Sequence, residues 1–429
     1  MNVGVYLFGS LAVFLLTGMP IAFAVGLAVA FAIIAWGEAP LIMNFQQMYN
    51  GIDSFTLIAL PMFIWAGDLM GKGGIINDLL LLCRVLCGRI RGNLAHANIV
   101  GSMFFAGISG SAVSDTAAIG GALIPAMVED GYDPDFSVAV TASSSVIGPI
   151  IPPSIGMVLY GSVASVSVSA LFIGGIVPGI LLGVGLMIVA AFYSHKRNYP
   201  KNTQKYTAKE IAGSIIKSLP AIIMMLIILG GILGGIFTPT EASSIAVVYA
   251  LIIGIFYYRC LNGKIILKSL CDSMALAGSV LVIVAVSYPL GWLVAMGQIP
   301  AIMSSFIISV TSNKFVVLLM INVFLLFLGC IMDANANLLI FAPILAPIAA
   351  SFGIDPVHFG VIFVLNVIIG LATPPFGVCL FVASGIGKIS MERTIKAVLP
   401  FCLAEIAVLL LTTYIEPVVT FLPRFFRLM

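Results

Sequence analysis

Apolar residues run along the chain in long blocks, and polar positions gather in short segments between them. Residues 3–36 form one such block, interrupted by Thr17-Gly18-Met19-Pro20. A crossing helix takes about 20 residues, so this block is too long for one untilted span, and the Gly and Pro place a turn between two. The same reading predicts spans at 54–70, 170–193, 219–236, 240–258 and 272–296. Residues 37–53 read as a loop. Residues 72–92, where leucines alternate with Arg84, Arg89 and Arg91, read as an amphipathic helix lying along a membrane surface.

Two regions break this pattern. About 13 residues from Asn93 precede the turn Gly107-Ile108-Ser109-Gly110-Ser111, and about 12 follow it from Ala117, each too short to cross a core of roughly 30 Å at a 1.5 Å rise per residue. The consequence is a re-entrant helical hairpin over about 93–128, whose exposed backbone must be buried in protein or line a watery cavity. The next helix, 136–162, is broken from Gly148 to Pro153, because prolines remove donors and clash with the preceding turn; Asp133 or Asp135 can cap its start. Adding 222 finds the arrangement again: Gly107 becomes Gly329, Pro125 becomes Pro347, Asp133-Pro134 becomes Asp355-Pro356, and Gly148, Pro152 and Pro153 become Gly370, Pro374 and Pro375. A second hairpin is therefore expected over about 315–350 and a second broken helix over 356–385.

The chain then divides into a repeat at 1–193, a hydrophilic linker at 194–217 and a second repeat at 218–429. Lys72, Arg84, Arg89 and Arg91 mark one loop of the first repeat as cytoplasmic, while 37–53 holds no basic residue. In the second repeat the sides switch, with Arg259, Lys264 and Lys268 in one loop and Lys388, Arg393 and Lys396 in another. Five spans and one hairpin per repeat give an odd number of crossings, which inverts the second copy and puts both termini outside. The fold class expected is an all-α polytopic membrane protein with two inverted repeats, about ten spans, two re-entrant hairpins and two broken helices.

Composition agrees. At 61% apolar and 8% charged, with mean hydropathy +1.19, the chain cannot clothe a soluble surface. The first apolar stretch lacks a basic n-region and reads as a retained span. The seven cysteines are scattered without metal or disulfide spacing and read as small packing residues.

Neither 101–165 nor 323–385 contains a Lys or Arg. These segments hold Ser109, Ser111, Ser114, Asp115, Ser143, Ser144, Ser145 and Ser154 in one copy and Asp333, Asn335, Asn337, Asn366 and Thr373 in the other. Hydroxyls, amides and carbonyls freed by the breaks are hard oxygen ligands suited to Na⁺, and half-helix N-termini suit a carboxylate. Small residues also serve close helix crossings in membranes, so a single serine among these is as readily packing as ligand. Asp115 and Asp333 are the acids near the tips, and intramembrane acids are functional by default, although Asp115 could simply cap the returning helix. Gly107-Ile108-Ser109-Gly110 also fits an intramembrane serine protease, but His96, His195 and His358 sit away from tip depth. Paired discontinuous segments at matching places of two repeats point to a transporter.

Gly107-Ile108-Ser109-Gly110-Ser111-Ala112, Ile151-Pro152-Pro153-Ser154, Asp333-Ala334-Asn335-Ala336-Asn337 and Thr373-Pro374-Pro375-Phe376-Gly377, in this order, resemble the large membrane subunit of tripartite ATP-independent periplasmic (TRAP) transporters, nearest to the sialic-acid branch. The resemblance implies Na⁺-driven import of an acidic solute across the bacterial inner membrane by an elevator motion, with a small four-helix membrane subunit and a periplasmic binding protein as partners. It implies no organic cofactor and no nucleic acid. Carried over by motif, one sodium site would use Ser109, Ser111, Ser145 and Gly148, a second Gly329, Asp333, Gly370 and Thr373. The solute would lie near Ser111, Ser154, Asp333 and Asn335. A C4-dicarboxylate or other organic acid in the same machine is the alternative, as is a stand-alone divalent-anion/Na⁺ carrier.

Overall fold

The computed structural model describes residues 3–201 and 207–429, without the side chains of residues 76, 77, 106–109 and 208. The described residues form helices and no named strand. In the first half they are α1 (Val3–Leu16), α2 (Ile21–Trp36), α3 (Ile42–Ile52), α4 (Ala59–Lys72), α5 (Ile75–Cys87), α6 (Asn93–Ser109), α7 (Ala112–Glu129), α8 (Pro134–Ser144), α9 (Ile155–Ala164) and α10 (Val168–Lys196). The second half has α11 (Ala208–Leu233), α12 (Pro239–Ile252), α13 (Gly263–Met296), α14 (Ile299–Val310), α15 (Lys314–Ile331), α16 (Ala334–Ser351), α17 (Pro356–Gly370), α18 (Val378–Gly387), α19 (Met391–Tyr414) and α20 (Pro417–Phe425).

Three sequence expectations need correcting. The 37–53 loop contains α3, which packs along α13 with Gly51 under the Tyr288 ring. In the 222-residue register α3 and α4 together match the single 34-residue α13, so the first copy is broken at Asp53-Ser54 where the second runs on. The hairpin arms are also longer than expected. α6 and α7 have 17 and 18 residues and α15 and α16 have 18 each, because the turn signals at Gly107 and Gly329 are absorbed into helix and only two residues separate the arms. Lastly, Asp133 occupies the N-cap position of α8 but makes no capping bond with its side chain.

Among the described residues, eight helices are long and apolar enough to cross a membrane by length and composition, including both arms of the second hairpin. Eighteen residues rise about 27 Å, so length does not separate an arm from a span. Placement does. Helix α19 measures the distance between the hairpin bases: Phe401 packs on Phe136 at the start of α8, beside the first base, while Tyr414 donates to the Phe315 carbonyl at the second base. Thirteen residues of helix, about 20 Å, lie between those contacts. The hairpins thus open at opposite ends of α19, yet both tips line one cavity. Two hairpins so placed cannot each cross the full thickness.

The first base is held by residues just beyond α10. Arg197 bonds Asp133 at 2.9 Å and Asp135 at 3.1 Å, Tyr199 donates to Asp133 at 2.8 Å, and Gly92 N–H donates to the Pro200 carbonyl at 3.2 Å. Tyr199 also packs against Tyr132 and Phe136, its ring tilted to each with both centroids at 4.8 Å. Burial pulls the Asp133 carboxyl upward, but the bonds from Tyr199 and Arg197 outweigh it and hold it below the ordinary carboxylate value. That contribution is present above the unfolded carboxylate's value and is lost as pH falls through the lowered one. Arg197→Ala should therefore lower the thermal midpoint by a few degrees at about pH 7. The gap to wild type should close in acid; a gap independent of pH would contradict this account of the base.

Candidate functional site

Each tip is built by a helix that stops, turns and restarts with its own cap. Gly110 turns the first tip at φ +60°, and a Cβ there would stand 2.7 Å from the Pro153 carbonyl oxygen, so the tip lies directly on the first helix break. Ser111 caps α7, accepting from Ser114 N–H at 3.5 Å. Asp333 caps α16, its Oδ1 accepting from Asn335 N–H at 2.9 Å and Ala336 N–H at 3.3 Å. Ser154 caps α9 and accepts from Met157 N–H at 3.2 Å. Three helix N-termini, each with a positive dipole end, therefore converge on the space between tips and breaks.

That space is a cavity of about 430 Å³ bounded by Ser111 and Ser114 from one tip, Asp333 and Asn335 from the other, and Pro149 and Leu371 from the breaks. It continues into a second space of about 230 Å³ beside Asp68 of α4 and Asp272 of α13. Asp68 and Asp272 both pair with Lys72, at 2.6 and 3.4 Å. Among the described residues no Lys or Arg lines either space, while the acids Asp333, Asp68 and Asp272 do.

Beneath the first tip, oxygens gather around Gly148. From the position of a Cβ on Gly148, the Ser145 carbonyl lies 3.2 Å away and the Ser111 carbonyl and Asp115 Oδ2 each 3.8 Å. Asp115 is wholly buried, and neither carboxylate oxygen has a hydrogen-bond partner. Nearby hydroxyls are committed elsewhere: Ser102 donates to Ser144 Oγ at 3.0 Å and Ser145 to the Thr141 carbonyl at 2.8 Å. Asp115 does not cap α7; Ser111 does that.

The second copy repeats the plan with different groups. Gly329 and Gly370 bring α15 and α17 into backbone contact, and a methyl on Gly370 would overlap the Gly329 backbone. Thr373 Oγ1 donates to the Ile369 carbonyl at 2.7 Å. Asn337, which stands 222 residues after Asp115, is also wholly buried, and both its side-chain polar atoms lack partners. Two unpartnered, buried, oxygen-bearing side chains at the same place in both copies are exceptions to the rule that buried polar groups are paired. A hard monovalent cation fits both sets.

Of the residues expected from sequence, Ser111, Asp333 and Asn335 do meet in the cavity. Ser154 does not reach it, being wholly buried with its hydroxyl used as a cap. Ser145, Gly148, Gly329, Gly370 and Thr373 lie at the breaks and crossings, with the Ser145 and Thr373 hydroxyls turned back onto their own helices. Ser109 ends α6, and its side chain is outside the described residues. The sequence reading left Asp115 undecided and counted Asn337 among the oxygen-bearing candidates without placing it in either sodium site. Their shared offset of 222 was the available signal.

Comparison with known proteins adds identity to this geometry. Residues 8–418 match the model of the DctM component of tripartite ATP-independent periplasmic transporters. The chain belongs to that family. It is 38% identical to the sialic acid TRAP transporter large permease protein SiaM of Vibrio cholerae, with 98% of each chain covered. It is 42% identical to the isethionate TRAP transporter permease protein DctMQ of Oleidesulfovibrio alaskensis, covering 98% of this chain and 66% of that one. Its fold is similar to that of the YdaH transporter of Alcanivorax borkumensis at TM-score 0.64, 14% identity and 89% and 88% coverage. This TRAP large permease is therefore a multi-pass transporter subunit and not an enzyme, and it belongs to a tripartite system with a small membrane subunit and a periplasmic binding protein.

The crossing at Gly329 and Gly370 gives a direct test of the permease's second tip. Gly370→Ala should destabilise by about 1–3 kcal/mol through overpacking. Gly385→Ala, in open space on α18, should be neutral or slightly stabilising. Equal thermal midpoints for the two variants would contradict the close backbone crossing.

Proposed function

We propose that this permease imports an acidic solute, sialic acid, across the bacterial inner membrane by Na⁺-coupled secondary transport. The observation that carries the reading is the charge of the cavity. A carboxylate solute placed between the tips meets Asp333 and no Lys or Arg, so three helix dipoles alone must outweigh a like charge. Cations bound at Asp115 and at Asn337 would supply the missing positive charge, which ties the affinity for the solute to the ion.

Asp115, the Ser111 and Ser145 carbonyls and Gly148 would hold one Na⁺. Asn337, Thr373 and the backbone at Gly329 and Gly370 would hold the other. Asp333 and Asn335 would orient the solute between them. The block made by α6–α9 and α15–α18 would carry the cavity past α4 and α13, whose Asp68 and Asp272 border its present opening. Basic residues gather at that end, including Lys72, Lys196, Arg197, Lys264, Lys388 and Lys396, which supports a cytoplasmic opening. On that orientation both termini are periplasmic.

Sialic acid is preferred to a small sulfonate because a cavity of about 430 Å³ falls in the range that encloses larger ligands. A C4-dicarboxylate is the second reading, favoured by the 33% identity to a Rhodobacter capsulatus permease for that class. The test is uptake of labelled sialic acid by the full complex in vesicles, with binding protein supplied. An inward Na⁺ gradient at equal pH should drive it, and Asp115→Asn should cut the rate at least tenfold and weaken its Na⁺ dependence. Asp333→Ala should abolish uptake in a folded protein. Uptake driven by a pH gradient without Na⁺ would overturn the sodium assignment; Na⁺-driven uptake of a C4-dicarboxylate and not of sialic acid would overturn only the solute.

A further inference from the structure

The Tyr288 ring of α13 lies over Gly51 of α3, where a Cβ would stand 2.5 Å from the ring's Cγ, so any larger residue would push the ring aside. Seated there, the Tyr288 hydroxyl donates to the Ser162 carbonyl of α9 at 3.1 Å, with Ser162 Oγ at 3.4 Å. That carbonyl is among the last four of α9, which have no partner within the helix. The donors just past the helix end do not reach it, because Ser165 and Val166 N–H both go to the Gly161 carbonyl. A tyrosine 126 residues away in sequence therefore satisfies it.

Around this bond the neighbouring helices stand apart. They enclose a cavity of about 460 Å³ bounded by Gln47 of α3 and Trp292 of α13 on one side and by Ser165 and Pro343 on the other. The seam closes again where a Cβ on Gly291 would stand 3.2 Å from the Pro343 Cβ. Helices α9 and α16 belong to the block, and α3 and α13 lie outside it, so the Tyr288 hydroxyl bridges a loosely packed seam between the two parts. A hydrogen bond is steep in distance and angle, so this one holds a single relative position of those parts. Ser304 of α14 also bonds Ser351 at this end, at 3.1 Å, but α14 leads directly into α15 and can travel with it.

The other copy lacks the device. Helix α18 ends as α9 does, with Lys388 at φ +53° where α9 has Ser165 at φ +56°, and with Lys388 and Ile389 N–H both given to the Ser384 carbonyl. Aligned by these caps, Gly385 answers Ser162, and a Cβ on it would meet open space. The 222-residue register puts Ala66 where α13 has Tyr288, and alanine has no hydroxyl to give. In inverted repeats a contact that closes one end has its counterpart at the other. Here the counterpart of the bond is missing.

Taking the moving block as proposed above, we infer that the Tyr288 hydroxyl is a latch. It holds α9 to α13 at the end away from the opening beside Asp68 and Asp272, and it favours the state seen here over the one that opens the other way. Tyr288 is a positioning residue: it sets where the block rests and touches neither solute nor cation.

The test uses the complete complex in lipid nanodiscs, in a background without the exposed Cys260 and Cys271. Spin labels go on Glu129→Cys at the end of α7, in the block, and on Lys268→Cys of α13, outside it, both exposed positions. The distance between the labels, read by double electron–electron resonance, reports how many molecules hold the block where it is here. Tyr288→Phe keeps the ring on Gly51 and removes only the hydroxyl; it should lower the ratio of this position to the other by about two- to tenfold. Gly51→Ala, which moves the ring off its seat, should shift the ratio the same way. An unchanged ratio in Tyr288→Phe, even with a lowered thermal midpoint, would make the hydroxyl merely structural and overturn the latch while leaving the moving block intact. One distance shared by wild type and both variants would overturn the moving block and the latch with it.

Discussion

A helix that ends inside a bilayer leaves amide and carbonyl groups that lipid cannot satisfy, and the whole architecture follows from how those groups are covered. Each tip is covered by a break. Gly110 rests on the Pro153 carbonyl, and Gly329 rests on Gly370. Contacts this close require residues without side chains, which is why the breaks carry glycine as well as proline. Once tip and break are pressed together, the carbonyls they free point at the same small volumes. The cation ligands proposed here are thus a by-product of closing the backbone.

The second constraint is charge. Between the tips the permease places the acid Asp333 and helix N-termini but no basic side chain among the described residues. On the proposed function, an anion would be bound weakly by the protein alone and strongly by the protein with its cations, so that solute would not be carried without its driving ion. Asp115 and Asn337 occupy matching positions, with an acid in one copy and an amide in the other. The two proposed cation positions would therefore be unlike, and the one at Asn337 would have the greater need of negative charge from Asp333 or the solute.

Much of this was legible in the sequence because glycine and proline mark backbone geometry directly. The 222-residue register located both tips and both breaks, and the basic loops that switch sides announced the inversion. Helix α3 was hidden because Asn44 and Gly51, the residues it buries, carry no apolar signal; only the presence of α13 makes that face a packing surface. Arm lengths were misread because Gly107 and Gly329 look like turns and are helical. Ser154 has the right type and place for a solute ligand, yet its hydroxyl is claimed by the N–H of Met157.

The account's centre is that two hairpins entering from opposite ends bring their tips to one cavity. Cysteines placed at Ser114 and Asn335, in a background without the exposed Cys260 and Cys271, measure that most directly. A short bifunctional thiol reagent applied to the complex in native membranes should join the two positions within one chain. Efficient labelling of each cysteine with no cross-link between them would contradict it.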